Sequence, residues 1–357
     1  MPRTTASINS FVSGEFSAKL DGRTDFEKYA SGCKTLENML VHPQGAAARR
    51  VGTQFIAEVK TSAAKTRLIP FEFSTTQTYI LEFGNNYIRF FKDKGQIFSS
   101  GSAYEISTPY LTAELFEIKF AQSADVMFLC HPNHEVMKLS RTAHTSWTLA
   151  EVDFTDGPYL ATNTTDTTLT PQQTATGTGK TITASAVTGI NGGVGWLATD
   201  VGRILKFNSG KAIITARTNA TVAVATITTA FTNTDATAAF NLGAFSNTTG
   251  FPSCVSFFEQ RLVFAGTTDE PQTLYFSKSG DYENMTTGTN ADDAMVYTIA
   301  SNQVNKIRYL KAVRTLLIGT TGGEFSVSAD GTDAAVTPTN VTIKRQSSFG
   351  AANVDAQ

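Results

Sequence analysis

The feature that most constrains this chain is its punctuation. Between residues 65 and 160 the apolar residues come in short aromatic and β-branched runs, "RLIPFEF", "TYILEFG" and "YIRFFKD", broken by turns such as Asn85-Asn86. Runs this short, bounded by turn formers, read as antiparallel strands. "FEIKFAQSADVMFLCHP", "HEVMKLSRT" and "SWTLAEVDF" continue the series. Sets of three or four strands at regular spacing point to β-propeller-like blades or to a sandwich. The same style returns in residues 249–357, with "CVSFFEQRLVFAGT", "QTLYFSKSGDYENM", "NKIRYLKAVRTLLIGTTGGEFSVSAD" and "VTIKRQSSFG".

Two segments depart from that pattern. In residues 161–248 charges nearly vanish and Thr and Ala alternate, as in "GRILKFNSGKAIITARTNATVAVATITTAF". Clean alternation predicts strands with one polar face, and the segment reads as a small β-sandwich inserted into the β-rich frame. In residues 1–64, "TDFEKYASGCKTLENMLV" places Phe26, Tyr29, Ala30, Cys33, Leu36 and Leu40 at helical spacing. That spacing predicts a short helix capped by Thr24 or Asp25, weakened at Gly32. The expected fold is therefore mainly β: blades at 65–160 and 249–357, an insert at 161–248 and a docking segment with a short helix at 1–64.

Composition excludes some functions. The formal net charge is -2, so no global basic field draws in nucleic acid. Three widely spaced cysteines, Cys33, Cys130 and Cys254, do not make a disulfide framework and fit a reducing compartment. "MPRTTASINSF" lacks the apolar stretch of a signal peptide, and no run of 18 apolar residues suggests a membrane span.

Motifs that could carry chemistry are sparse. "TATGTGKTITASA" holds Gly179, Lys180 and Thr181, but Thr174 stands where a phosphate loop needs its leading glycine. Strand-like alternation follows where a helix should begin, so Lys180 is expected on a hairpin turn. "CHPNH" offers Cys130, His131 and His134, yet Cys33, Cys254, His42 and His144 supply no paired partners. Cys130 then reads as core and the rest as a turn, with no metal or cofactor. The adjacent pairs Asp269-Glu270 and Asp292-Asp293 lie in Gly/Thr/Asn-rich turns; "SADGTDAA" at 328–335 lacks calcium-loop spacing and reads as a hairpin turn. Basic residues gather weakly at Arg49-Arg50, Lys306/Arg308/Lys311/Arg314 and Lys344-Arg345. On a strand, Lys306 and Arg308 share a face and could line a channel, although a solvated face explains them as well.

Four stretches carry a family resemblance: "NSFVSGEFSAKLDGRTDFEKYASGCKTLENMLVHPQGAAARRVGTQFIAEV", "RLIPFEFSTTQTYILEFGNNYIRFFKDKGQI", "FAQSADVMFLCHPNHEVMKLSR" and "FFEQRLVFAGTTDEPQTLYFSKSGDYENM". They resemble the tail nozzle, or tail tubular, proteins of short-tailed bacteriophages, which are similar in role to packaged-DNA stabilisation proteins. The resemblance implies a β-propeller-based virion subunit, made in the bacterial cytoplasm, that forms a homo-oligomeric ring, a hexamer, below the portal and its adaptor. That ring would extend the DNA channel, retain the genome and pass it at ejection. It would touch double-stranded DNA transiently, contact portal-adaptor proteins and tail fibres, and hold no stable membrane association. Phe11, Gly14, Glu15, Gly22, Arg23, Tyr29, Arg49 and Arg50 fall in the first resembling stretch and are the expected subunit or adaptor contacts. Family nozzle chains are usually longer, so a closed ring of blades is expected to need residues beyond these. The rival readings are a carbohydrate- or receptor-binding tail protein, weakened by the few aromatics of the insert, Trp196, Phe207 and Phe231 among them, and a sialidase-like glycosidase using Asp292 and Asp293.

Overall fold

The computed structural model describes residues 7–300, 304–331 and 334–354. The chain is mainly β: about 45% is strand, no described helix reaches seven residues, and one sheet curves as a half-barrel. It divides into two compact units, Met1–Ala57 and Glu58–Gln357.

In the larger unit four antiparallel sheets follow one another along the chain. The first holds strands Arg67–Ser74, Gln77–Gly84, Tyr87–Lys92 and Glu105–Ser107 in that order, with Gly95–Gln96 also paired to the third. The second is a meander of Lys119–Ser123, Val126–His131, His134–Ala143 and Ser146–Glu151. The third runs Cys254–Phe258, Arg261–Ala265, Thr273–Phe276 and Met295–Thr298, and the fourth Ile307–Ala312, Leu316–Thr320, Gly323–Ser328 and Thr342–Ser347.

Side-chain alternation stacks these sheets in series. Successive residues of a strand point to opposite faces. In the second sheet Met127 and Leu129 enter a core with Ile69, Phe71, Leu81 and Phe90 of the first. Their neighbours Phe128 and Cys130 enter another core with Val255, Leu262, Phe264 and Tyr275 of the third. Val263, Ala265, Leu274 and Phe276 then face Ile307, Leu316, Ile318 and Phe325 of the fourth. Both faces of the middle sheets are thus covered, which is why "VMFLC" and "LVFA" are unbroken apolar runs. Each fully buried large side chain here contributes roughly 1.5–3 kcal/mol relative to exposure. The first strands of the second, third and fourth sheets also lie beside one another.

The Thr/Ala-rich insert forms one six-stranded sheet with its own core, in the order Leu169–Pro171, Gly177–Ala184, Val222–Thr229, Gly210–Arg217, Ile204–Phe207 and Asn241–Leu242. The expected sandwich would need a second packed sheet, and none is seen among the described residues of the insert.

The predicted N-terminal helix is a correction. Glu27–Ser31 is a single 3-10 turn, Ala18–Leu20 another, and the chain then runs extended through Gly32–Cys33 and the hairpin Met39–Val41 with Ala47–Arg49. Gly32 decides this. Its backbone is extended (φ -117°, ψ 175°), and a Cβ there would collide with the Phe16 ring. Phe16 meets Phe26 edge-on and stacks on Tyr29, so the aromatic spacing that suggested a helix serves a local ring cluster.

Candidate interaction surfaces

The smaller unit has an unusual property: its only buried described residues are glycines, Gly32 and Gly45. Its apolar side chains are largely in solvent, with Ile8, Val12, Leu40, Val51 and Phe55 all at least half exposed. A segment that buries so little apolar surface gains little to offset the entropy of ordering its backbone. Its shape rests on hydrogen bonds.

Most of the sequence-selected residues supply those bonds. The Phe11 N–H donates to the Gly45 carbonyl at 2.8 Å, and Gly14, with φ +67°, closes a turn onto the Phe11 carbonyl at 2.8 Å. The Glu15 carboxylate accepts the Leu36 N–H at 2.7 Å. The Gly22 N–H donates to the Tyr29 hydroxyl at 3.2 Å. Arg23 pairs with Asp25 at 2.7 Å in solvent; that hydrogen bond holds the Asp25 carboxyl below its usual range. Arg50 donates to the Asn38 side chain at 2.7 Å, whereas Arg49 is exposed on its strand and makes no side-chain hydrogen bond or ion pair among the described residues. The expected contacts thus mostly shape the segment, leaving Arg49 and the exposed apolar side chains as groups free to meet a neighbour.

In the larger unit Lys306 precedes strand Ile307–Ala312 and Arg308 sits at a bulge within it, on either side of the fully buried Ile307, and both are half-buried. The Arg308 Nε has no hydrogen-bond partner among the described residues. The outer faces of the two end sheets are exposed in part; on the first, Glu82 and Tyr87 are buried at one end of that face. On the first sheet, Leu68 and Ile80 are 62% and 41% exposed, and Pro70 is paired directly with Ile80. On the fourth, Leu317 is 37% exposed, between the buried Leu316 and Ile318.

The chemical motifs resolve differently. Lys180 sits within strand Gly177–Ala184, paired with Ala225 beside a bulge rather than on a hairpin turn, and no helix follows to cradle a phosphate. Lys278 bonds the Asp293 carboxylate at 3.2 Å and lies 3.5 Å from Asp292; Asp293 also accepts the Asn290 N–H. These two acids hold their turn and do not face each other across a cleft. Trp196, Phe207 and Phe231 are buried in the insert's core and offer no sugar platform. Thr332 and Asp333 of the 328–335 turn lie outside the described residues. Cys130 is fully buried as expected, and Cys254 is buried as well. What the sequence did not reveal is that His131 and His134 meet Glu114, from the preceding connection, with ligating atoms within 4.8 Å of one another. Cysteine and histidine spacing offers no further ligand, and a glutamate in a turn carries no signal of its own.

A scan of protein-family models and a search of curated proteins found no match to this chain. No described helix is long and apolar enough to cross a membrane.

Proposed function

We propose that this protein is a structural subunit of a short phage tail, a nozzle component that assembles with copies of itself around a DNA channel and has no catalytic site. The carrying observation is the serial stack of sheets. Each middle sheet is covered on both faces, while the two end sheets are left open in part, one at Leu68 and Ile80 and the other at Leu317. A stack of blade-like sheets beside their first strands suits an arc of a propeller. The exposed apolar patch of Leu68, Pro70 and Ile80 at one end favours continuation against another body, and the other end offers Leu317 among Lys311, Ser326 and Lys344. Unlike faces meeting head to tail make a heterologous contact, which closes into a ring when the rotation permits. The coreless N-terminal segment adds a second surface for neighbouring subunits, the portal-adaptor or tail fibres. A net charge of -2 suits a conduit, since a dense basic lining would grip the DNA it must release. In this reading Lys306 and Arg308 give the channel sparse, passing phosphate contacts.

Light scattering on the purified full chain, followed by electron cryo-microscopy of virions, tests the proposal. A ring-sized species and density below the portal are expected. A chain that stays monomeric at high concentration and is absent from virions overturns it.

A further inference from the structure

The hairpin joining the second and third strands of the second sheet closes on Pro132-Asn133, with His131 paired across it to His134. Both imidazoles meet the connection from the first sheet. There Leu111 to Glu117 winds through two tight turns, the Glu114 N–H donating to the Leu111 carbonyl and the Glu117 N–H to the Glu114 carbonyl, each at 2.9 Å. The Glu114 carboxylate accepts the Leu111 N–H at 2.8 Å and meets His134 Nε2 at 2.9 Å. His131 Nε2 lies 3.6 Å from a Glu117 oxygen, and the two imidazole rings are 5.0 Å apart.

Two buried polar atoms here lack partners. His131 is fully buried, and its Nε2 makes no hydrogen bond; the nearby Tyr110 hydroxyl, on a ring 5.2 Å from His134, makes none either. Buried polar groups are almost always satisfied, so an orphan calls for a bound partner. His131 carries its orphan on the side where the carboxylates converge.

We propose that Glu114, His131 and His134 bind a divalent transition-metal ion of the zinc class, with Glu117 as the fourth ligand. Two imidazole nitrogens with carboxylate oxygens are a donor set that zinc favours. Ligands at about 2.1 Å in a tetrahedron stand roughly 3.4 Å apart. The separations of 2.9 Å for His134–Glu114 and 3.6 Å for His131–Glu117 lie on either side of that edge; Glu114, His131 and His134 already converge within 4.8 Å, and the exposed Glu117 side chain would swing in to join them. The Asn133 N–H donates to His131 Nδ1 at 3.2 Å, which puts the neutral ring's proton on Nε2. Loading a cation on Nε2 moves that proton to Nδ1 and gives up this long contact in exchange for a nitrogen–metal bond. Glu117 is more than half exposed and leaves a path for entry. The ion would pin the connection between the first two sheets to the hairpin, a structural role that does not depend on the tail reading.

The test uses the untagged full chain, stripped with chelator and titrated with Zn²⁺ by calorimetry and with Co²⁺ by visible absorption. One equivalent of Zn²⁺, a raised melting temperature and ligand-field bands of four-coordinate Co²⁺ are expected. His134→Ala and Glu114→Gln should each weaken binding by at least roughly 10–100-fold, the cost of losing even an outer-sphere partner. His42→Ala, at an exposed position, should leave it unchanged. Imidazole NMR of the unmutated protein provides a readout that needs no variant to fold: Zn²⁺ should move the His131 and His134 resonances and spare those of His42 and His144. No saturable uptake at micromolar Zn²⁺, uptake indifferent to both variants, or shifts confined to His42 or His144 overturns the site.

Discussion

Arg203 and Asp200 form an ion pair at 3.0 Å with both side chains essentially inaccessible to water, 1% and 0% exposed. Its partners explain how it is tolerated. Arg203 Nε donates to the Gly243 carbonyl at 2.8 Å and Nη1 to the Asn191 side-chain oxygen at 2.6 Å. The Asp200 carboxylate accepts Asn191 Nδ2, the Leu197 N–H and the Thr248 hydroxyl, each at 2.7 Å. Buried charges need such saturation because isolated burial costs far more than pairing returns. The pair ties the connection between strands Gly177–Ala184 and Ile204–Phe207 to the segment that follows Asn241–Leu242.

Arg203→Met or Asp200→Asn alone should cost about 3–5 kcal/mol, because each leaves a buried group without its counterpart. The double variant should cost less than the sum of the two. Denaturant unfolding of all four proteins measures this. Additive losses would show that the two charges are not coupled.

Asp156 gives an acid-side prediction. Burial pushes its carboxyl up, but hydrogen bonds from Tyr159 and Lys206 and the charges of Lys206 and Lys211 outweigh burial and hold it below the usual carboxylate range. Tyr159 donates at 2.7 Å and Lys206 at 2.9 Å. A carboxyl depressed by folding stabilises the protein above its unfolded pKa, near 3.9, and this contribution is lost as pH falls through the lower folded value. Asp156→Asn should therefore be less stable than the parent by about 1–2 kcal/mol at pH 7. The gap should narrow as pH falls below about 4. Urea titrations across that range provide the check; a gap that widens on acidification has the wrong sign.

Much of the fold was legible because both packing faces leave marks in the sequence. The continuous "VMFLC" run and the alternation of "RLIPFEF" separate a strand covered on both sides from one with an open face. Other features were not legible. The Glu259-Gln260 turn holds both residues at positive φ, 46° and 60°, in a tight loop where sequence rules look for Asn or Gly. The N-terminal apolar spacing fitted a helix equally well until the Phe16 ring occupied the space beside Gly32. His131 and His134 were visible as a pair, but Glu114 joins them only through the turn that closes the preceding connection. Local patterns carry strand identity; tertiary coincidences of this kind are absent from them.

If Lys306 and Arg308 meet passing DNA phosphates, their effect is electrostatic and independent of sequence. Replacing both with alanine should flatten the salt dependence of double-stranded DNA binding by the assembled protein. Each lost phosphate contact removes about 0.9 from the slope of log affinity against log salt. Binding titrations at several salt concentrations measure it, and an unchanged slope would remove both residues from the channel wall.

The open end of the stack supplies the most direct structural test. Leu68 and Ile80 sit on strands whose alternate residues, Ile69, Phe71, Tyr79 and Leu81, are fully or almost fully buried. A charge at either position therefore points away from the core and should change folding stability by only about 0.5 kcal/mol. In an assembly the same charge would be trapped against an apolar partner without a counterion, where burial is heavily penalised. Leu68 stands directly opposite Glu82, so the test charge is positive: the double variant Leu68→Lys/Ile80→Lys should keep the parent's circular dichroism and melting temperature yet lose the large species in light scattering. If it assembles as well as the parent, the first sheet's outer face is not the joint between subunits, and the ring must close through another surface.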